Sequence, residues 1–164
     1  MARGIATPRM VIEAVRAGGL GFYGSAGLPI AEIRKGLAEI RAALGDNAPA
    51  WGANLIHAPQ EPSQEKAVID LFLAEKVRRV SASAFMRLTP DVVRYTALGL
   101  SRGPDGDIQR QNHVFAKVSR AEVAEAFMAP APERMLRELV AAGAISEAQA
   151  DLAAKVPVAA EITA

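Results

Sequence analysis

Apolar positions along the chain alternate between two rhythms. Met10, Val11, Ala14 and Val15 recur at helical spacing and stop at Gly18, after which Leu20 to Tyr23 runs apolar without a gap, the mark of a short buried strand. Thr7-Pro8 supplies the helix start, a hydroxyl N-cap followed by proline at the first helical position, where its missing N–H is not needed. The same sequence of events follows. Ile30, Ile33, Leu37, Ile40 and Leu44 form a one-sided stripe closed by Gly45, and Trp51 to Ile56 is the next strand. Ser63 is expected to cap a helix carrying Val68, Leu71 and Phe72, ahead of a strand from Val77 to Ser81. Thr89-Pro90 repeats the cap and proline before Val92, Val93 and Thr96. Pro104-Asp105-Gly106 reads as a turn in a polar excursion, and Val114 to Val118 as a fourth strand.

Helices alternating with short apolar strands, joined by connections too long for hairpins, predict parallel βα units and an α/β fold. The rhythm then breaks. Ser119-Arg-Ala-Glu122 and Ser146-Glu-Ala-Gln149 both have the spacing of a capping box, and Pro132 opens a further helix between them. Residues 119–156 thus read as a helical insertion with Leu136, Leu139 and Val140 on its buried face, before a last apolar stretch from Val156 to Ile162. No low-complexity linker separates it, so residues 1–164 are expected to form a single domain.

Gly19-Leu-Gly-Phe-Tyr-Gly24 spells a dinucleotide-binding fingerprint, but its glycines follow a helix and precede a strand, the reverse of the required order. Gly18 and Gly19 instead sit where a helix C-cap wants positive φ. The informative end is Gly24-Ser25, at the C-terminal edge of a strand. Asn54 to His57, Ser81 to Ser83 and Lys117 to Ser119 occupy the same place on the other strands, and in a parallel sheet or barrel such clusters share the ligand-binding face.

Composition narrows the chemistry. Nineteen basic against eighteen acidic residues leave a net charge of +1, too small a field to draw in nucleic acid or anionic lipid. The absence of cysteine excludes disulfides, thiolate metal sites and a cysteine nucleophile, and fits a reducing compartment. No apolar run approaches a membrane span of about 20 residues and the first residues do not read as a signal peptide, so a cytoplasmic location is expected. Two histidines without metal-ligand spacing make no metal site, and the Ser81 to Ser83 segment lacks a nucleophile elbow.

Two polar residues inside apolar strands stand out. Asn54 can donate and accept towards a bound ring, or equally satisfy neighbouring backbone as a core amide. Lys117 lies within Val114-Phe-Ala-Lys-Val118, where a buried ammonium is costly without an anion, which favours ligand contact over a snorkelling side chain. His57 reads as a strand-exit loop residue and His113 as an exposed one.

Gly4-Ile-Ala-Thr-Pro8, Ala17-Gly-Gly-Leu-Gly-Phe22, Trp51-Gly-Ala-Asn-Leu-Ile-His57, Ser83-Ala-Phe-Met86 with Leu88-Thr-Pro90, and Ala116-Lys-Val-Ser-Arg120 occur in this order in one group of flavoenzymes. Through them the chain resembles the trans-acting enoyl reductases of polyketide and polyunsaturated-fatty-acid synthases, relatives of the nitronate monooxygenases. The resemblance implies a partial (β/α)8 barrel of about five parallel strands, since a complete one takes about 250 residues. It further implies FMN as cofactor, NADPH as reductant, an enoyl thioester on an acyl carrier protein as substrate, and synthase modules as partners. Asn54 and Lys117 match positions that face the FMN in such barrels. The family's glycine-rich loop and the histidine considered catalytic are expected beyond the counterpart of Glu161-Ile-Thr163, past Ala164. The chain then reads as a middle segment, inactive alone, with open sheet edges available for self-association. Alternative expectations are a nitronate monooxygenase, or a non-catalytic scaffold docking on a synthase complex.

Overall fold

Thr7 and Thr89 each accept a hydrogen bond at the side-chain oxygen from the backbone three residues on, at 3.3 Å from Met10 N and from Val92 N, and each is followed by proline. They start helices α1 (Pro8–Arg16) and α4 (Pro90–Ala97), as their sequence predicts. In this computed structural model, which describes residues 2–45, 48 and 50–163, the helices alternate with short strands. After α1 come β1 (Gly21–Tyr23), α2 (Ile30–Leu44), β2 (Trp51–Ile56), α3 (Pro62–Ala74) and β3 (Arg79–Ser83). After α4 come β4 (Leu100–Arg102), β5 (Ile108–Arg110), β6 (His113–Lys117), α5 (Ala121–Met128), α6 (Glu133–Ala141), α7 (Glu147–Ala153) and β7 (Glu161–Thr163). The order β1-β2-β3-β6-β7 forms one sheet of parallel strands, the α/β arrangement expected. The chain divides into two compact units, Met1–Ser81 and Ala82–Ala164.

In the first unit α1 packs on β1 and α2, and α3 packs on α2 and β2. Ile33, Leu37 and Ile40 of α2 are buried, as are Ile69, Leu71 and Phe72 of α3. Gly18 ends α1 with a φ of +81°, but Gly19 is not in the left-handed region. Gly18 N–H to Val15 and Gly19 N–H to Ala14 close the helix, so one left-handed residue suffices.

In the second unit α7 packs on α4, α6 and β4, and α5 packs on β7. Leu136 and Leu139 are buried on α6, and Phe85 meets Phe127 edge-on, with ring centroids 5.8 Å apart. The Ser146 capping box forms: Gln149 N–H donates to the hydroxyl and the Gln149 side chain accepts from Ser146 N–H.

Several expected boundaries move, each for a local reason. Ser63 does not cap α3; Glu61 holds that position and Pro62 the first helical one. The strand expected from Val77 begins at Arg79 because Val77 N–H still closes α3, on Phe72 O at 2.8 Å. Ser119 forms no capping box: Val118 N–H bonds Thr163 O and keeps the chain extended, and α5 starts one residue later, behind Arg120. The polar excursion around Pro104-Asp105-Gly106 is an antiparallel hairpin, β4 with β5. The last apolar stretch joins a strand only at its end, where β7 takes residues 161–163, since Val158 and Ala159 donate instead to Ala129 and Phe127.

Candidate functional site

Strand register sorts the first unit's side chains onto two faces. Tyr23 is buried towards α2, where its hydroxyl reaches Glu32 O at 3.5 Å, and it pairs with Ala53 across the β1–β2 ladder. By alternation, Phe22, Gly52 and Asn54 take the opposite face. Gly52 is obligatory there. A Cβ on it would lie 2.4 Å from Arg79 O and 2.7 Å from the Phe22 ring, so no side chain fits.

Asn54, one turn of the pleat further along β2, is 4% exposed. Its Nδ2 donates to the backbone carbonyl of Ser81 on β3 at 2.8 Å, and its backbone carbonyl accepts from Ser25 Oγ, just past β1, at 2.6 Å. Three of the polar clusters predicted at strand ends are thus joined through Asn54. Ser25 is wholly buried, and so is Ser81. Ser81 Oγ has no hydrogen-bond partner among the described residues, which leaves a buried hydroxyl next to Asn54's anchor.

Past β2 the chain turns through His57. Its Nδ1 lies 2.8 Å from Glu65 Oε2, with side chains 7% and 4% exposed, so this strand-exit residue is half of a buried pair. Glu65 escaped the sequence reading because an acid in the first turn of a helix is ordinarily a solvated complement to the helix dipole. The available signal was Pro62, which fixes where α3 begins and turns Glu65 back towards the end of β2. Asn54, Ile56 and Glu65 line a shallow pocket with Ala26, Gly27 and Leu28 from the loop after β1.

In the second unit, Val114 and Ala116 are buried while Lys117 at the end of β6 is exposed. The expected buried ammonium is therefore corrected, because β6 alternation turns Lys117 to the face opposite Val114 and Ala116. Lys117 stands beside Thr163 in the β6–β7 ladder. His113, expected to be exposed, is half-buried at the start of β6, since the strand begins one residue earlier than read. Among the described residues no group of three or more His, Cys, Asp or Glu could hold a metal ion, and no helix is long and apolar enough to cross a membrane.

Comparison with known proteins places this geometry. The chain is 48% identical over 162 residues to a polyunsaturated fatty acid synthase subunit from a Thraustochytrium species, covering 99% of the chain and 11% of that protein. It is 42% identical over 162 residues to the polyketide biosynthesis protein PksE of Bacillus subtilis, covering 99% of the chain and 21% of that protein. Its structure is similar to the enoyl reductase domain of MlnA from the macrolactin cluster of Bacillus amyloliquefaciens, with a TM-score of 0.94 and 36% identity over 99% of this chain and 37% of that one. A FabK mutant from Thermotoga maritima, at 20% identity and a TM-score of 0.53 over 87% of this chain and 38% of that one, shares the fold. No protein-family model matches. The chain spans about a tenth to a fifth of the two curated relatives and 37% of the MlnA domain.

Proposed function

As the chain belongs to the enoyl reductases of polyketide and polyunsaturated-fatty-acid synthases, spanning a segment of them, we propose that the protein carrying it reduces enoyl thioesters on an acyl carrier protein, with FMN as cofactor and NADPH as reductant. The observation that carries this reading is the match of almost the whole chain to one enoyl reductase domain at a TM-score of 0.94.

The residues fit a flavin. A buried amide at Asn54 and a buried hydroxyl at Ser81 without a protein partner among the described residues are groups that the carbonyls and nitrogens of an isoalloxazine ring can take as hydrogen-bond partners, and Lys117 enters the proposal separately, through the resemblance. When bound, FMN supplies the hydride chemistry, accepting hydride from NADPH and delivering it to the β-carbon of the enoyl thioester. Asn54 would hold the ring. Its bonds to Ser81 O and from Ser25 Oγ fix its place before any ligand arrives, which lowers the ordering cost of binding. Lys117 would contribute positive charge, which favours a ring in its electron-rich form.

FMN titration of the protein by quenching of flavin fluorescence tests the reading. Saturable binding is expected, weakened about tenfold in Lys117→Met by loss of one charged contact. Lys117 is exposed, so the variant keeps its fold. Absence of FMN binding would leave the chain as a scaffold on the synthase and remove the reductase reading.

A further inference from the structure

The buried His57–Glu65 pair takes no part in the reaction proposed above, and stability alone does not account for it. Both side chains lose their hydration where less than a tenth of either is exposed, and apolar residues of similar volume fill such a place at least as well. What a directed bond adds is a single geometry.

The position of the pair in the fold says what that geometry governs. Ile56, the last residue of β2, is 38% exposed, so apolar burial of the final strand residue does not hold the exit. His57 holds it instead, through the 2.8 Å contact with Glu65 that the first turn of α3 presents behind Pro62. Asn54 lies three residues back along β2, and Glu65 walls the pocket that Asn54 also lines. A shift of the exit therefore carries Asn54 with it. The bonds from Ser25 Oγ and to the Ser81 carbonyl tie Asn54 sideways to its neighbours, whereas the His57–Glu65 pair ties the end of the strand to a helix.

We propose that His57 and Glu65 are positioning residues of the candidate site: the pair fixes the end of β2 and so sets where the Asn54 amide stands for a bound ring. This rests on the flavin reading above.

The test replaces both partners at once, His57→Leu with Glu65→Met, so that neither is left buried without the other. The double variant is compared with wild type and with Glu65→Gln, which keeps an accepting oxygen. Amide hydrogen exchange of residues 54–58 is followed without ligand, and FMN affinity by quenching of flavin fluorescence. The double variant should unfold in urea at or above the wild-type midpoint. Its exchange at residues 54–58 should nevertheless be about tenfold faster, and its FMN binding about tenfold weaker. Glu65→Gln should stay within about threefold of wild type in both measurements.

The proposal is overturned by wild-type exchange or wild-type FMN affinity in the folded double variant. A loss in Glu65→Gln as large as in the double variant also overturns it, by assigning the effect to charge rather than placement. So does failure of the double variant to fold, which would make the pair a stability device. If wild type itself binds no FMN, the reductase reading fails, and exchange at residues 54–58 alone decides whether the pair positions the strand.

Discussion

His57 and Glu65, eight positions apart in sequence, meet at 2.8 Å with less than a tenth of either side chain exposed. The pair ties the exit of β2 to the first turn of α3 and so fixes one wall of the pocket beside Asn54. Removing one partner leaves the other buried without its counterpart. Glu65→Ala should therefore destabilise the protein by about 3 kcal/mol. Glu65→Gln, which preserves a hydrogen-bonding oxygen, should cost less. Urea unfolding midpoints of the two variants check the order.

Ser25 and Asn54 form one connected unit with Ser81, so their losses should not add. Asn54→Ala strands the Ser81 carbonyl and is expected to cost about 2 kcal/mol, and Ser25→Ala about 1 kcal/mol. The double variant should lose less than the sum by about 0.5 kcal/mol or more, a coupling that denaturant unfolding of all four proteins resolves.

Gly52→Ala tests close approach between strands. The added methyl meets the Arg79 carbonyl, which is backbone and cannot swing aside. A loss of at least about 2 kcal/mol is expected. Gly106→Ala, at a position with open space around it, should lose about 1 kcal/mol through its positive φ alone. Thermal unfolding of the pair separates steric from conformational cost.

Tyr23 carries a pH dependence. Burial first, and then the carboxylates of Glu32 and Glu39, raise its hydroxyl above the ordinary 10.0. The unfolded chain therefore releases this proton at a lower pH than the folded one. Stability from this group is complete below pH 10.0 and is lost as pH rises from there through the raised folded value. Tyr23→Phe should show a smaller alkaline loss than wild type in unfolding measured on both sides of pH 10.0.

The elements most legible in the sequence were those with a local signal strong enough to settle their geometry. Thr7-Pro8 and Thr89-Pro90 start helices, and the apolar run from Trp51 to Ile56 is β2 to the residue. Where the outcome depends on a distant partner, local pattern fails. Val77 is apolar and β-branched yet closes α3, and Ser119 has capping-box spacing yet its neighbour Val118 is held by Thr163. The β4–β5 hairpin was hidden because its strands are three residues each and largely polar. The site follows the same division. Asn54 was visible as a polar residue in an apolar strand, whereas its link to Ser81 and the His57–Glu65 pair depend on how separate elements approach, which no periodicity records.

The proposed reaction is tested most directly by incubating the FMN-loaded protein with NADPH and an enoyl thioester attached to an acyl carrier protein, and weighing the intact carrier. The account predicts a mass gain of two hydrogens on the acyl chain, matched by NADPH consumed, and little oxidation of a nitronate under the same conditions. An unchanged acyl chain with FMN bound, or oxidation of the nitronate in place of reduction of the thioester, would contradict it.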